Sequence, residues 1–414
     1  MALKVVKFGG SSLADAEHFK QVATIIRADP ARRYVVPSAP GKRNNGDTKV
    51  TDMLYTCYEM IRAHESADAI DAYYNKIVER YNGIIAELGI HFDLSGEFEY
   101  VKNAMLHASG RDYAASRGEY LNALILSKYL GFSFIDAESV IFFKENGTFD
   151  EEKTNEVLRE ELRHHKYAVI PGFYGSMPNG TIKTFSRGGS DITGSIVARA
   201  ASADLYENWT DVPGILTADP RIVKNPAPIA SLSYPELQLL SGAGTQVLHE
   251  SAVAPVRAAQ IPLQIRSTFA PELPGTRIGF EAGAGLEKTG VVGFAGRRAV
   301  SMLRVLFREE TRADADTLVR ACLAQQGIAV FHGSQGVEGL CLLLIAKPGQ
   351  DALHAACDEV RRLLPGAQVK LRENLAALLA LCRTTREVPK LAAAMESAGV
   401  PVHHLVQTPP GALF

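Results

Sequence analysis

The chain has no excess of charge of either sign, and that removes two classes of partner at once. Its 414 residues carry a formal net charge of −2, so nothing in the balance draws it to nucleic acid or to an anionic membrane surface. No apolar run approaches the roughly 18 residues of a membrane span. The best, Leu375 to Cys382, has the length of a core strand. Met1-Ala2-Leu3-Lys4 leads straight into a strand and has no signal-peptide architecture. The five cysteines (Cys57, Cys322, Cys341, Cys357 and Cys382) are odd in number and show no Cys-x-x-Cys spacing. They read as buried free thiols in a cytoplasmic protein, not as disulfides or metal ligands. No His/Cys/Asp cluster has ligand spacing, so no metal ligand is assigned. Familiar nucleotide loops are missing too, since no Gly-x-Gly-x-x-Gly follows a strand. Gly41 to Thr48 has the glycine spacing of a Walker loop, but Asp47 stands where lysine is needed and would repel phosphate.

What is present is an ordinary globular composition, 46% apolar and 22% charged, in a chain long enough for two or three domains. Up to residue 280 strands alternate with helices. Leu3–Phe8, Tyr34–Pro37, Phe132–Ile135, Tyr167–Ile170, Leu205–Trp209 and Leu263–Ile265 read as strands. Ala14–Ala28, Ala69–Leu88, Ala114–Tyr129, Asp191–Ala201 and Tyr234–Leu240 read as helices, the second stopped by Gly89. This alternation predicts an α/β domain over 1–280, a mainly parallel sheet sandwiched by helices. Glu281–Glu287 has a linker's composition. Beyond it Val300–Phe307, Ala329–His332, Leu340–Ala346, Leu375–Cys382 and Val400–Val406 read as strands. With helices at Asp316–Gln325, Asp351–Leu364 and Val388–Ala398 they suggest two βαββαβ units in tandem. The first is placed at 288–367 and the second, incomplete, at 368–414.

Two glycine-rich stretches carry the chemistry. Val5-Val6-Lys7-Phe8-Gly9-Gly10-Ser11-Ser12 runs from a strand into a helix, and Phe185-Ser186-Arg187-Gly188-Gly189-Ser190-Asp191 opens another helix. A glycine pair at a helix start lets backbone N–H groups approach an anion, and the helix dipole adds positive potential. Lys7 is either an edge-strand charge or a phosphate contact; the flanking glycines favour phosphate. Arg187 offers a planar fork for a carboxylate, and Asp191 is placed to orient Lys7. Ser190 and Asp191 are equally explained as helix caps; the arginine is not. Glu119 follows Gly118 inside a helix, and a glycine there implies close approach of another group to the backbone. Thr210-Asp211-Val212-Pro213-Gly214 and Thr217 to Arg221 follow a strand end, where α/β sheets bind ligands. Plain turns would also account for them.

Taken together these segments resemble the aspartate kinases of the amino-acid kinase superfamily. The match runs through Val6–Ser12, Phe185–Asp191 with Ile192-Thr193, Trp209–Gly214, Ala218–Val223, Val247-Leu248-His249 and Pro274-Gly275-Thr276. The resemblance implies phosphorylation of the β-carboxylate of L-aspartate by ATP, the first step towards lysine, threonine and methionine. It implies that Lys7 stabilises the transferring phosphoryl group and Asp191 positions the cations, with Mg2+ riding on the ATP phosphates. Gly9, Gly10 and Ser11 would cradle phosphates, and Thr210, Asp211, Leu216, Arg221 and Gln246 would line the nucleotide site. Arg187 would clamp the aspartate α-carboxylate and Glu119 its ammonium, with Ser38, Thr51, Phe173 and Ser190 completing the pocket. The C-terminal units resemble paired ACT domains, implying a homo-oligomer controlled by L-lysine or L-threonine.

Three features depart from the family pattern. Gln246 replaces a frequent lysine, Leu216 a frequent tyrosine, and the second C-terminal unit lacks its closing elements. Lys224 or Arg221 is the expected substitute for the lost charge. Two other readings stand beside the first: a related kinase acting on another amino acid, and an amino-acid-binding regulatory protein with a weakened kinase domain.

Overall fold

The computed structural model describes residues 2–107, 110–186, 188–244, 248, 250–280, 290–306, 314–336, 339–346, 349–408 and 411–413. The chain forms two compact units. One comprises Met1–Leu216, Pro228–Tyr234 and Val247–Ala284; the other comprises Thr217–Ala227, Pro235–Gln246 and Gly285–Phe414.

The first unit contains strands β1 (Lys4–Phe8), β2 (Arg32–Pro37), β3 (Ser133–Phe134), β4 (Ala168–Val169), β5 (Tyr174–Ser176), β6 (Ile182–Thr184), β7 (Leu205–Thr210), β8 (Ser231–Ser233), β9 (Leu263–Ser267) and β10 (Thr276–Gly279). Eight of them form one sheet in the order β3-β4-β2-β1-β7-β9-β10-β8, with β5 and β6 a separate hairpin. From β3 to β9 every pairing is parallel, and β10 runs antiparallel to β9. The helices are α1 (Ala16–Arg27), α2 (Val50–Arg62), α3 (Ala67–Leu88), α4 (Ser95–Leu106), α5 (Arg111–Leu130), α6 (Ala137–Val140), α7 (Glu151–Arg163), α8 (Gly189–Ala200), α9 (Tyr234–Gly242) and α10 (Glu250–Ala258). All but most of α9 belong to this unit.

Val5, Val6 and Phe8 of β1 are fully buried, as expected of a central parallel strand covered on both faces. The main apolar core joins β1 and β2 to α1–α5 through side chains such as Phe19, Leu54, Tyr81 and Leu121. Beneath it lies a wholly buried carboxylate, Glu207 of β7. It accepts from Arg32 Nε (2.8 Å), Lys4 Nζ (3.3 Å) and Trp209 Nε1 (2.9 Å), so its charge is fully matched.

The second unit holds β11 (Val291–Leu306), β12 (Ile328–Gly336), β13 (Gly339–Ala346), β14 (Gln368–Cys382), β15 (Val406–Thr408) and β16 (Gly411–Leu413), with α11 (Ala315–Gln325), α12 (Gln350–Leu363) and α13 (Glu387–Ser397). The sheet is antiparallel throughout, in the order β12-β13-β11-β14-β16-β15. The succession β11-α11-β12-β13-α12-β14 is βαββαβ. The long strands β11 and β14 bend together at a register shift between Arg297 and Val300, where Ala299 and Asn374 have positive φ (55° and 57°). Past that bend the early half of β11 pairs with the late half of β14, which also pairs with β16.

Two details differ from the sequence reading. Residues 400–405, expected as a strand, carry no ladder; Pro401 has no N–H to donate. The stretch docks by side chains instead, His403 Nδ1 lying 2.7 Å from Arg372 Nη1 and His404 Nε2 3.3 Å from Ser334 Oγ. Helices α2, α4, α6, α7 and α10 are additional to those read from the sequence. The expected linker at 281–287 lies outside the described residues. All five cysteines are buried and free, and no helix among the described residues is long and apolar enough to cross a membrane.

Candidate active site

The site lies where β1, β2 and β7 end, at the carboxyl edge of the parallel sheet. Lys7 faces Val36 on one side and Asn208 on the other in the strand register. The residue is 7% exposed, and its ammonium sits 2.5 Å from Asp191 Oδ1 in the first turn of α8. Asn208 Nδ2 donates to the same carboxylate oxygen at 3.0 Å, and the Tyr206 hydroxyl donates to the Asp191 carbonyl at 3.0 Å. Two strands therefore fix one aspartate, and that aspartate holds the lysine. The Gly9 N–H is taken by the Trp209 carbonyl (3.0 Å), so it is not open to an anion.

A second wall is built around Ala39, just past β2. A Cβ on Gly10 would stand 2.8 Å from the Ala39 carbonyl oxygen, and one on Gly118 would stand 2.8 Å from the Ala39 Cβ. Both glycines are thus required by close backbone approach, which explains why α5 tolerates Gly118 in its middle. The result is to press Glu119 against the β2 loop. Its carboxyl is buried, and burial pushes its pKa up to about 8, against the opposing pull of the Ala39 N–H and the Lys7 charge. Oε2 of Glu119 has no partner. Asn122, one turn on, donates to the Ser38 carbonyl at 2.6 Å, and Thr51 at the start of α2 lies against Gly118.

The remaining wall comes from the loop after β4. Phe173 has φ 83°, an uncommon conformation for a bulky residue, and is held there by its N–H donating to Thr193 Oγ1 (3.0 Å). A Cβ on Gly189 would collide with the Phe173 ring, and one on Gly172 with Ser190. Phe173 and Ser190 therefore flank the α8 start that carries Asp191. Arg187 and Gln246 lie outside the described residues. Thr210 Oγ1 donates to Asp211 Oδ1 (3.2 Å) at the end of β7, and Leu216 forms an isolated bridge with Pro228. Arg221 belongs to the second unit, where its exposed guanidinium grips Asp219 through Nη2 (2.6 Å) and Nε (3.0 Å).

The Walker-like loop has a structural role. Asp47 accepts from Arg43 Nε (2.8 Å) and Arg80 Nη1 (2.7 Å), which hold its carboxyl far below the usual range. Arg80 Nη2 also ties the carbonyls of Ala14 and Gly41. Asn208 is the residue the sequence reading missed. Its signal was a polar pair, Glu207-Asn208, inside an otherwise apolar buried strand.

Comparison with known proteins agrees with this geometry. The amino acid kinase family model matches residues 2–267. Aspartokinase 3 of Bacillus subtilis is 35% identical over 83% of this chain and 78% of its own. The crystal structure of aspartate kinase from Clostridium acetobutylicum superposes with a TM-score of 0.88 at 38% identity, covering 99% of this chain and 95% of that one. E. coli aspartokinase III, solved with aspartate and ADP, shares the fold with a TM-score of 0.75 at 22% identity, over 100% of this chain and 95% of its own. The chain belongs to the amino acid kinase family, in its aspartokinase branch.

Proposed function

We propose that this chain transfers the γ-phosphoryl group of ATP to the β-carboxylate of L-aspartate, giving 4-phospho-L-aspartate and ADP. A bond forms between a β-carboxylate oxygen and the γ-phosphorus while the bond from that phosphorus to the β,γ-bridging oxygen breaks. The nucleophile is already ionised, so no general base is required. The obstacle is repulsion between two anions, and positive charge held in place answers it. The observation that carries this reading is the Lys7–Asp191 pair at 2.5 Å, set between two glycine loops, with its lysine near enough to act on the buried Glu119 carboxyl.

In this mechanism Lys7 neutralises the transferring group, kept in position by Asp191 and Asn208. Gly10 and Ser11 offer amides to the phosphates, and Glu119 accepts the substrate ammonium. Ser38, Thr51, Phe173 and Ser190 shape the acceptor pocket, and Arg187 takes the α-carboxylate. Thr210, Asp211, Leu216, Arg221 and Gln246 serve the nucleotide, with Arg221 or Lys224 supplying the charge that Gln246 lacks. Mg2+ bound to the ATP phosphates supplies further charge neutralisation. Asp191 is the carboxylate that would meet it. We assign 1–280 to the kinase domain and 288–367 and 368–414 to ACT-like units of a homo-oligomer that bind L-lysine or L-threonine.

Trapping the acyl phosphate with hydroxylamine, in the presence of ATP and Mg2+, tests this directly. Hydroxamate with L-aspartate supports the reading. Product only with L-glutamate or N-acetyl-L-glutamate would move the chain to a related acceptor, and no product with any of them would make it a regulatory binding protein.

A further inference from the structure

Helix α5 carries polar groups on two faces. Glu119 and Asn122 turn towards Ala39 and Ser38, whereas Tyr113, Arg117 and Tyr120 follow the i, i+4, i+7 spacing of another face. That second face borders a cleft of about 1000 Å³, closed by α4, by the β5–β6 turn and by Asp136 and Glu138 at the start of α6.

Arg117 is only 3% exposed, yet it lines this open cleft. Its guanidinium carbon lies 4.5 Å from the ring centre of Tyr113, 4.6 Å from Tyr120 and 5.0 Å from Tyr174. Nε is bonded to Ser116 Oγ at 3.0 Å, but Nη2 has no acceptor, and the Tyr113 hydroxyl has no partner either. A buried charged donor left without an acceptor is costly, so this one marks a place for a ligand oxygen.

The rest of the lining has the opposite character. Glu97 accepts from the Tyr120 hydroxyl (3.0 Å) and Asp136 from the Tyr174 hydroxyl (2.7 Å). Glu138 is half-buried, and burial together with the Asp136 charge lifts its carboxyl above the ordinary range. With Asp112 that makes four carboxylates against the guanidinium groups of Arg111 and Arg117. An inorganic anion would satisfy Nη2 but face the carboxylates, and a simple amine would leave Nη2 bare.

The geometry points to a binding site for a cationic α-amino acid in this cleft. Its carboxylate sits on Arg117 Nη2 and the Tyr113 hydroxyl, and its positive groups lie towards Glu138, Glu97 and the tyrosine faces. The site is on the far side of α5 from Glu119 and does not depend on the phosphotransfer reading.

Calorimetric titration of the full chain with L-arginine tests it, with agmatine as the analogue that lacks the carboxylate. L-Arginine binds one site per chain that needs Arg117 and Glu138, and agmatine binds at least about tenfold more weakly. Arg117→Lys and Glu138→Gln each weaken L-arginine by about tenfold or more. If Arg117→Lys fails to fold, Glu138→Gln and the agmatine comparison decide the matter. The proposal is overturned by absence of binding up to about 10 mM, by equal affinity for agmatine, or by affinity unchanged in Glu138→Gln.

Discussion

The first unit buries Lys7, Arg32, Arg80, Arg117, Glu119 and Glu207, whereas the described part of the second buries Glu236 as its one charged side chain below the same level of exposure. The second unit fills its interior with Leu303, Leu323, Leu342, Leu344 and Leu353 instead. Buried charge is costly unless matched, so the contrast separates two kinds of architecture. Within the first unit a further division appears. Glu207 is matched by Arg32, Lys4 and Trp209, and Arg80 is tied down through Nη1 and Nη2, so both act as scaffold. Glu119 Oε2 and Arg117 Nη2 have no partner within the fold, and Lys7 is paired with Asp191 at the candidate site.

Substitutions at Lys7, Glu119 or the residues that hold them should strike transfer, and those in the second unit should not. Asp191→Ala removes the anchor of Lys7 and should lower kcat by about a hundredfold, measured by steady-state ADP release. Glu119→Gln should raise KM for aspartate by about tenfold with a smaller change in kcat. It should also abolish a pH dependence. Only ionised Glu119 accepts an ammonium, and its pKa is raised to about 8, so wild-type affinity for aspartate should rise about tenfold between pH 7 and pH 9. The sign for folding is opposite. A carboxyl raised from 4.5 to about 8 contributes stability that is full below its unfolded pKa and lost as pH rises through the folded one. Thermal unfolding of the ligand-free protein should show that loss between those values, and Glu119→Gln should flatten it.

Asn208→Ala leaves the ion pair but frees the Asp191 carboxylate on one side. Its expected cost is about tenfold in kcat, close to 1.5 kcal/mol for one hydrogen bond to a charged group. Leu342→Ala, in the leucine core of the second unit, should cost about 2–5 kcal/mol of stability by denaturant unfolding. At saturating substrate its kcat should stay within about twofold of wild type. A large loss of turnover there, with little loss from Asn208→Ala, would erase the distinction between the two units.

Much of the first unit was legible because its strands are short apolar runs and its loops carry glycine pairs. Lys7 and Asp191 stood out for that reason. Asn208 did not, because a polar residue in a strand has no local signature of what it faces across the sheet. Helix α7 buries Thr154, Leu158 and Leu162 in a segment otherwise crowded with charge, so its apolar stripe was easily passed over. The use of Gly118 could be read as a close approach, but only the fold shows that Ala39 is what approaches. In the second unit, the helices and the strands up to Cys382 were readable from period, whereas the end of the chain was not. The division of β11 and β14 between two pairings was not, since it depends on a bend at Ala299 and Asn374 that sequence spacing does not reveal.

The most direct test is single-turnover transfer from ATP to L-aspartate in Lys7→Met, with calorimetric binding of aspartate measured in parallel. If Lys7 acts on the transferring group, the rate falls more than about a hundredfold while aspartate binding changes less than about threefold. A rate within about threefold of wild type, with the fold intact, would contradict the assignment of the Lys7–Asp191 pair as the centre of the reaction.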